Sequence, residues 1–138
     1  MSIRTFAMVF GVVFLLVGAA GFIPGVTQPH THPDVTMTAG LGEELGLFPV
    51  NLIHNLVHIA FGIWGLVAAR NLASARAYAK GVAIIYAVLA ILGLIPAARL
   101  WTTFGLVPLY GNDVWLHVLL AAVAAYFGFV HRERETAR

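Results

Sequence analysis

Two short stretches hold most of the residues in this chain that could do chemistry inside an apolar surrounding. They are Asn51-Leu52-Ile53-His54-Asn55-Leu56-Val57-His58 and Asn112-Asp113-Val114-Trp115-Leu116-His117. On a helix, His54 and His58 stand one turn apart, as do Asp113 and His117, so each stretch offers an i, i+4 pair on one face. Three imidazoles and a carboxylate make an acceptable ligand set for zinc, iron or copper, with His54, His58, Asp113 and His117 as the metal ligands. Asn51 and Asn55 would then orient those ligands through hydrogen bonds. Two imidazoles at matching depths, His58 and His117, would equally suit axial ligation of a haem b or chlorophyll-type macrocycle. The same side chains also make a metal-free network, with His117 donating to Asn55 and Asp113 orienting His54. Spacing leaves these three readings open; a His/Asp proton relay or transport path is a weaker fourth, since polar groups stand at one end only and no path continues beyond Tyr86.

The elements that must carry these residues are set by composition. Of 138 residues, 60% are apolar and 10% charged, and the mean hydropathy is +0.88. Soluble domains carry roughly 25% charged residues, so this chain has too little polar surface for a water-soluble globule. A net charge of +2 makes no phosphate-binding stripe, which excludes a nucleic-acid partner. Cysteine is absent, and serine occurs only at Ser2 and Ser74, so no thiol or serine nucleophile is in reach of the polar stretches. No catalytic residue is assigned, and a binding or structural protein is expected rather than an enzyme.

Four stretches are long and apolar enough to cross ~30 Å of hydrocarbon: 3–23, 51–69, 79–98 and 113–130. The first is read as a retained helix, since its apolar run is long for a cleaved signal. Pro24-Gly25 ends it, Pro49 precedes the second span, Pro96 falls near the end of the third, and Gly111-Asn112-Asp113 supplies a turn and N-cap for the fourth. Arg4, Arg70, Arg76, Lys80, Arg132, Arg134 and Arg138 gather at one end, and only Arg99 lies at the other. That bias predicts cytoplasmic termini, with 24–50 and 99–112 outside. Trp101, Tyr110 and Trp115 near the outer ends, and Trp64 and Tyr78 near the inner, suit interfacial belts, whereas Tyr86 and Tyr126 are expected at helix interfaces. The stretch His30-Thr31-His32-Pro33-Asp34 is read as a solvated loop, and Glu43-Glu44 as the start of a small interfacial helix. Arg99 could pair with Asp113 or Asp34, or sit at the rim.

The chain also reads as two copies of one hairpin. Val17 to Pro24 resembles Leu89 to Pro96, and Gly46-Leu47-Phe48-Pro49 resembles Gly105-Leu106-Val107-Pro108. Registering the prolines places His58 opposite His117 and His54 opposite Asp113. The expected fold is therefore all-α: a single polytopic membrane domain over 1–138, with four transmembrane helices as two parallel-repeat helical hairpins. Gly62, Gly65 and Ala69 on one helix, and Ala121, Ala124 and Gly128 on another, would allow close helix approach or leave a slot for a flat ligand.

The motif N-x-x-H-N-x-x-H, complete at Asn51, His54, Asn55 and His58, resembles one in small four-span bacterial membrane proteins classed as domain of unknown function 4383. Those proteins open their last helix with N-x-x-D-N-x-x-H. Here Asp113 and His117 match it, Val114 replaces the second Asn, and Asn112 stands directly before the Asp. The resemblance runs from the first span to about Val130. It implies the four-helix fold, the polar cluster and a bacterial plasma membrane, and brings no activity. Expected partners are the lipid bilayer and, beyond it, other membrane subunits or a second copy. The alternative role is a haem- or pigment-binding accessory subunit of a respiratory or photosynthetic complex.

Overall fold

A computed structural model describes residues 1–95 and 97–133; Pro96 and the charged residues Arg134, Glu135 and Arg138 lie outside them. The chain order is α1 (Ile3–Ala20), β1 (Thr27–Pro29), β2 (Gly42–Glu44), β3 (Phe48–Val50), α2 (Leu52–Ala68), α3 (Leu72–Leu94), α4 (Ala98–Trp101) and α5 (Asn112–Ala125). A π-helical turn over Tyr126–Val130 continues α5. Three helical segments, Ile3–Ala20, Leu72–Leu94 and Asn112–Val130, are long and apolar enough to cross a membrane. The fourth, Leu52–Ala68, is equally apolar but shorter, with 17 residues.

Small residues decide how the helices meet. α1 packs chiefly on α2, and α3 on α5. A Cβ on Gly11 would stand 2.9 Å from the Gly62 carbonyl oxygen and 3.1 Å from the Gly65 carbonyl carbon, and one on Gly65 would meet the Ala7 oxygen at 2.8 Å. At the other pair, a Cβ on Gly128 would stand 3.0 Å from the Lys80 backbone nitrogen. Backbones that touch in this way gain dispersion and lose no side-chain entropy, which is the membrane solution to helix association. The expected slot beside Gly62 and Gly65 is thus filled by α1. Phe6, Phe14, Tyr78, Val82, Tyr86 and Phe127 fill the interior. Large aliphatic and aromatic side chains such as Leu16, Ile63, Ile84, Ile91, Leu119 and Phe129 face outward. Small or aromatic inside and aliphatic outside suits hydrocarbon rather than water.

Four expectations about the elements differ from the structure, one being the end of α3, which lies at Leu94 rather than 98. α1 stops at Ala20, four residues before Pro24, because Gly21 turns the chain against the Asn55 side chain, which a Cβ there would overlap. α3 begins at Leu72 rather than 79, since the Asn71 side chain accepts from the Ser74 N–H at 2.8 Å and caps it. In the segment 24–50 no helix starts at Glu43-Glu44. Three short strands form an antiparallel sheet, order β1-β2-β3, with Gln28 opposite Glu43 and Glu43 opposite Pro49. Residues 30–41, including the stretch 30–34 read as a loop, lie outside helix and strand. Leu45 and Gly46, with φ of 56° and 66°, make the tight turn that returns the chain from β2 to β3. Pro49 costs no ladder bond that the sheet needs, because β3 is an edge strand.

The aromatic expectations divide. Trp115 is 65% exposed at the start of α5, as a belt residue would be, and Tyr86 is buried at a helix interface. Tyr78, expected in the inner belt, is fully buried, and Tyr126, expected at an interface, is half exposed. Trp64 lies edge-on against Tyr78 with ring centroids 5.0 Å apart and covers Gly81. At the basic end, Arg4 Nε donates to the Ala69 carbonyl (2.9 Å) and the Ile3 N–H donates to the Glu133 carboxylate (2.8 Å).

Two outcomes follow from this packing. Gly11→Val should destabilise the folded protein by about 1–3 kcal/mol through overpacking, read as a lower unfolding midpoint in a detergent titration. In β2, Glu44 is 6% exposed with one carboxylate oxygen unpartnered, and burial raises its pKa above the usual carboxylate value. The folded state therefore holds this proton to higher pH than the unfolded chain does. Its contribution to stability is largest below the unfolded glutamate value and falls as pH rises through the raised one. Glu44→Gln should remove that decline from the pH profile of the thermal midpoint; an unchanged profile would show that Glu44 is not its source.

Candidate functional site

The two polar stretches meet at the end of the bundle opposite the basic one. Asn51 is the N-cap of α2: its side-chain oxygen accepts from the His54 N–H at 2.8 Å, and its amide donates to the Leu106 carbonyl at 2.7 Å. One residue thereby fixes the first turn of α2 and ties it to the segment after α4. On α5 the expected side-chain cap is missing. Gly111, at φ 67°, takes the cap position, and Asn112 instead donates to the Leu47 carbonyl at 3.3 Å. Asp113 is left free to turn along its own helix toward His117.

His54, His58, Asp113 and His117 are all buried, none more than 6% exposed. One ligating atom from each of His54, Asp113 and His117 lies within 4.8 Å of the others. His117 Nδ1 is 2.7 Å from the Asp113 carbonyl oxygen and 2.9 Å from its Oδ2. In one neutral tautomer an N–H at Nδ1 donates to Asp113; in the other the Nδ1 lone pair and the Asp113 carboxylate face the same space. Neither ring nitrogen of His54 has a well-directed hydrogen-bond partner, although the Pro49 backbone lies close enough to interact. His58 Nδ1 is also buried without a partner. His58 stands beside the three-residue group, its ring centroid 4.4 Å from that of His54.

The expected network pairings are not formed. His117 bonds Asp113 rather than Asn55, and the Asn55 oxygen is buried without a partner. Asn51 orients the backbone of His54, not its ring. Arg99 lines a cavity together with Asp34, while Asp113 is turned to His117. Just past β1, His30 Nδ1 is 3.7 Å from the Glu43 carboxylate, and the ring of His32 lies 5.0 Å from that of Tyr110.

Two residues of the site escaped the motif reading. Phe14 of α1 stacks on His58 (5.6 Å, 14°) and Tyr86 of α3 stacks on His117 (4.8 Å, 21°). The two rings also touch each other, at 5.4 Å. They come from helices with no polar signature, so only the three-dimensional arrangement identifies them. Together they floor the cluster with aromatic carbon and close the space below it.

No curated protein and no solved structure matches the chain. The sequence profile of the family described as Domain of unknown function (DUF4383) matches residues 4–130, which runs from the second residue of α1 to the end of the π-turn and includes both polar stretches. The chain belongs to that family.

Proposed function

We propose that this is a four-span protein of the bacterial plasma membrane whose outer end holds one divalent transition-metal ion, bound by His54, Asp113 and His117. The supporting observation is the convergence of three buried ligating groups of which one, His54, has no well-directed protein partner for either nitrogen. Leaving such groups unpaired in a low-dielectric interior costs about 1–3 kcal/mol each, and a bound cation would remove that cost. Tetrahedral ligands at ~2.1 Å from a metal stand about 3.4 Å apart, so this group, already within 4.8 Å, would tighten onto an ion, with the His117 proton moving from Nδ1 to Nε2 so that Nδ1 binds beside the Asp113 carboxylate. His58 is the natural fourth ligand, reached by turning its ring away from Phe14. An N/O donor set with no thiolate fits zinc, iron(II) or copper(II) rather than copper(I). Phe14 and Tyr86, packed on His58 and His117, take the space a macrocycle would need, which favours an ion over haem or a pigment.

The ion would act as a structural tie. α1–α2 and α3–α5 form the two hairpins, and α2 and α5 share few close backbone contacts, so the cluster would link hairpins otherwise joined through α1 and α3. Short α2 fits a full span when its Asn51 cap and the sheet are counted in the outer interface. The basic end, with Arg4, Arg70, Arg76 and Lys80, would face the cytoplasm.

Protein purified in mild detergent after growth with zinc, iron and copper should carry about one equivalent of one metal by elemental analysis and show no Soret band. His54→Ala and Asp113→Ala should each fall below about 0.1 equivalent, and chelation should lower the thermal midpoint of the wild type but not of these variants. Wild-type protein with under about 0.1 equivalent of any transition metal would overturn the metal reading. Because cysteine is absent, topology is open to a clean test. A membrane-impermeant maleimide added to whole cells should label Thr31→Cys and not Ser74→Cys; the reverse pattern would invert the orientation.

A further inference from the structure

We infer that the outer end carries a second binding site, separate from the His/Asp cluster, for a small neutral amphiphile with a hydrogen-bonding head, seated between the end of α1, the sheet and the start of α2 with Asn55 as its polar floor. A cavity of about 320 Å³ lies there, with Gly21, Phe22, Thr27, Leu41, Val50 and Asn55 among its walls. That volume is at the lower end of small-ligand sites, which run from roughly 300 to 1,000 Å³.

Asn55 is the group that asks for a ligand. It is 4% exposed, its oxygen has no partner, and its carboxamide makes no hydrogen bond among the described residues. The other asparagine of the wall, Asn51, is fully committed to the His54 N–H and the Leu106 carbonyl. The Thr27 hydroxyl is likewise spent, on the Ala20 carbonyl at 3.2 Å. A buried amide without partners is a costly thing to keep, and a ligand supplying them is the direct remedy. Gly21 lets the end of α1 pack directly on the Asn55 carboxamide, since a Cβ there would overlap it.

The walls define the ligand. Among the described residues no Lys, Arg, His, Asp or Glu lines the cavity, so an ionised head would lose its hydration without a counter-charge. A carboxamide offers one donor and one acceptor side by side, which a primary amide or a hydroxyl can answer with both. The remaining contacts are largely with carbon, so the head must sit on an apolar body. Such a molecule could arrive from the bilayer or from the aqueous side, and the site would recognise the same chemistry from either.

The chain has four asparagines, Asn51, Asn55, Asn71 and Asn112, so protein labelled with ¹⁵N-asparagine gives four side-chain NH₂ pairs. Full-length protein in lipid nanodiscs would be titrated with hexanamide from water, with decanamide loaded into the bilayer, and with decane as the control. The pair lost in Asn55→Leu should shift saturably with an amide and not with decane. A response to hexanamide marks an aqueous supply, and a response to decanamide alone marks a bilayer supply. Leu41→Trp, which fills the cavity without touching the amide group, should keep four pairs and weaken the response about tenfold or more. His54→Ala should leave it intact, which separates this site from the metal reading. An Asn55 pair unmoved by both amides, moved equally by decane, lost in His54→Ala or unaffected by Leu41→Trp would overturn the inference.

Discussion

The structure depends on backbones brought into contact by residues without side chains. At the α1–α2 crossing, Gly11 meets Gly62 and Gly65 so closely that a single added carbon would stand 2.9 Å from a carbonyl oxygen. In lipid there is no water for apolar surfaces to escape, so this kind of contact, and not the burial of large aliphatic residues, holds helices together. The consequences reach the outer end. Gly18 lies against the backbone of Asn55 and Ile59, which sets α2 against α1 one turn from the histidines. Phe14, between Gly11 and Gly18 on the buried side of α1, is carried onto the face of His58. The position of the cluster is thus inherited from the glycines of the α1–α2 crossing.

That dependence explains which parts of the molecule were legible in sequence. The apolar runs and the i, i+4 pairs on α2 and α5 are local patterns, and local patterns read directly, whereas the Asn51 cap of α2 was not read and the cap expected at Asn112-Asp113 does not form. The start of α3 was not legible, because Leu72 to Tyr78 contains Ser74 and Arg76, and hydropathy alone cannot see that an Asn71 cap carries helix through them. The small sheet was hidden for a different reason. Its strands have three residues each, too short for alternation to show, and they exist only because Gly42, Leu45 and Gly46 let β2 fold between two neighbours. Phe14 and Tyr86 are indistinguishable in sequence from any other core aromatic. Their role beside the imidazoles arises from helix packing, which no spacing rule encodes.

The repeat seen in the sequence is imperfect at the level of caps. α2 starts from an asparagine whose side chain closes the first turn, whereas α5 starts from a glycine at positive φ with no side-chain cap. The difference has a chemical consequence. A capping Asp113 would have spent its carboxylate on its own helix N-terminus. With Gly111 in the cap position, the carboxylate sits in the first turn, where the helix dipole still favours negative charge, and can reach His117 one turn along. Two related helices therefore present different donors: imidazoles from α2, a carboxylate-oriented imidazole from α5.

Placing these donors at the outer end, and not at mid-bundle, is the economical arrangement. Ionisable groups are most costly at the bilayer centre, and the cost falls toward the interface, so the polar groups occupy the first two turns of each helix and stop at His58 and His117. Below them Phe14 and Tyr86 restore a hydrocarbon interior that runs through Tyr78 and Phe127 to the basic end. Above them the sheet and the segment after α4 cover α2 and α5, with Asn51 and Asn112 tying helix starts to neighbouring carbonyls. The cluster is closed from both sides while Asn55, on the outer shoulder of the same helix, opens onto a cavity. One turn of α2 thus faces two environments: a sealed one suited to an ion and an accessible one suited to a neutral molecule. The close approach of α1 at Gly18 and Gly21 is what divides them.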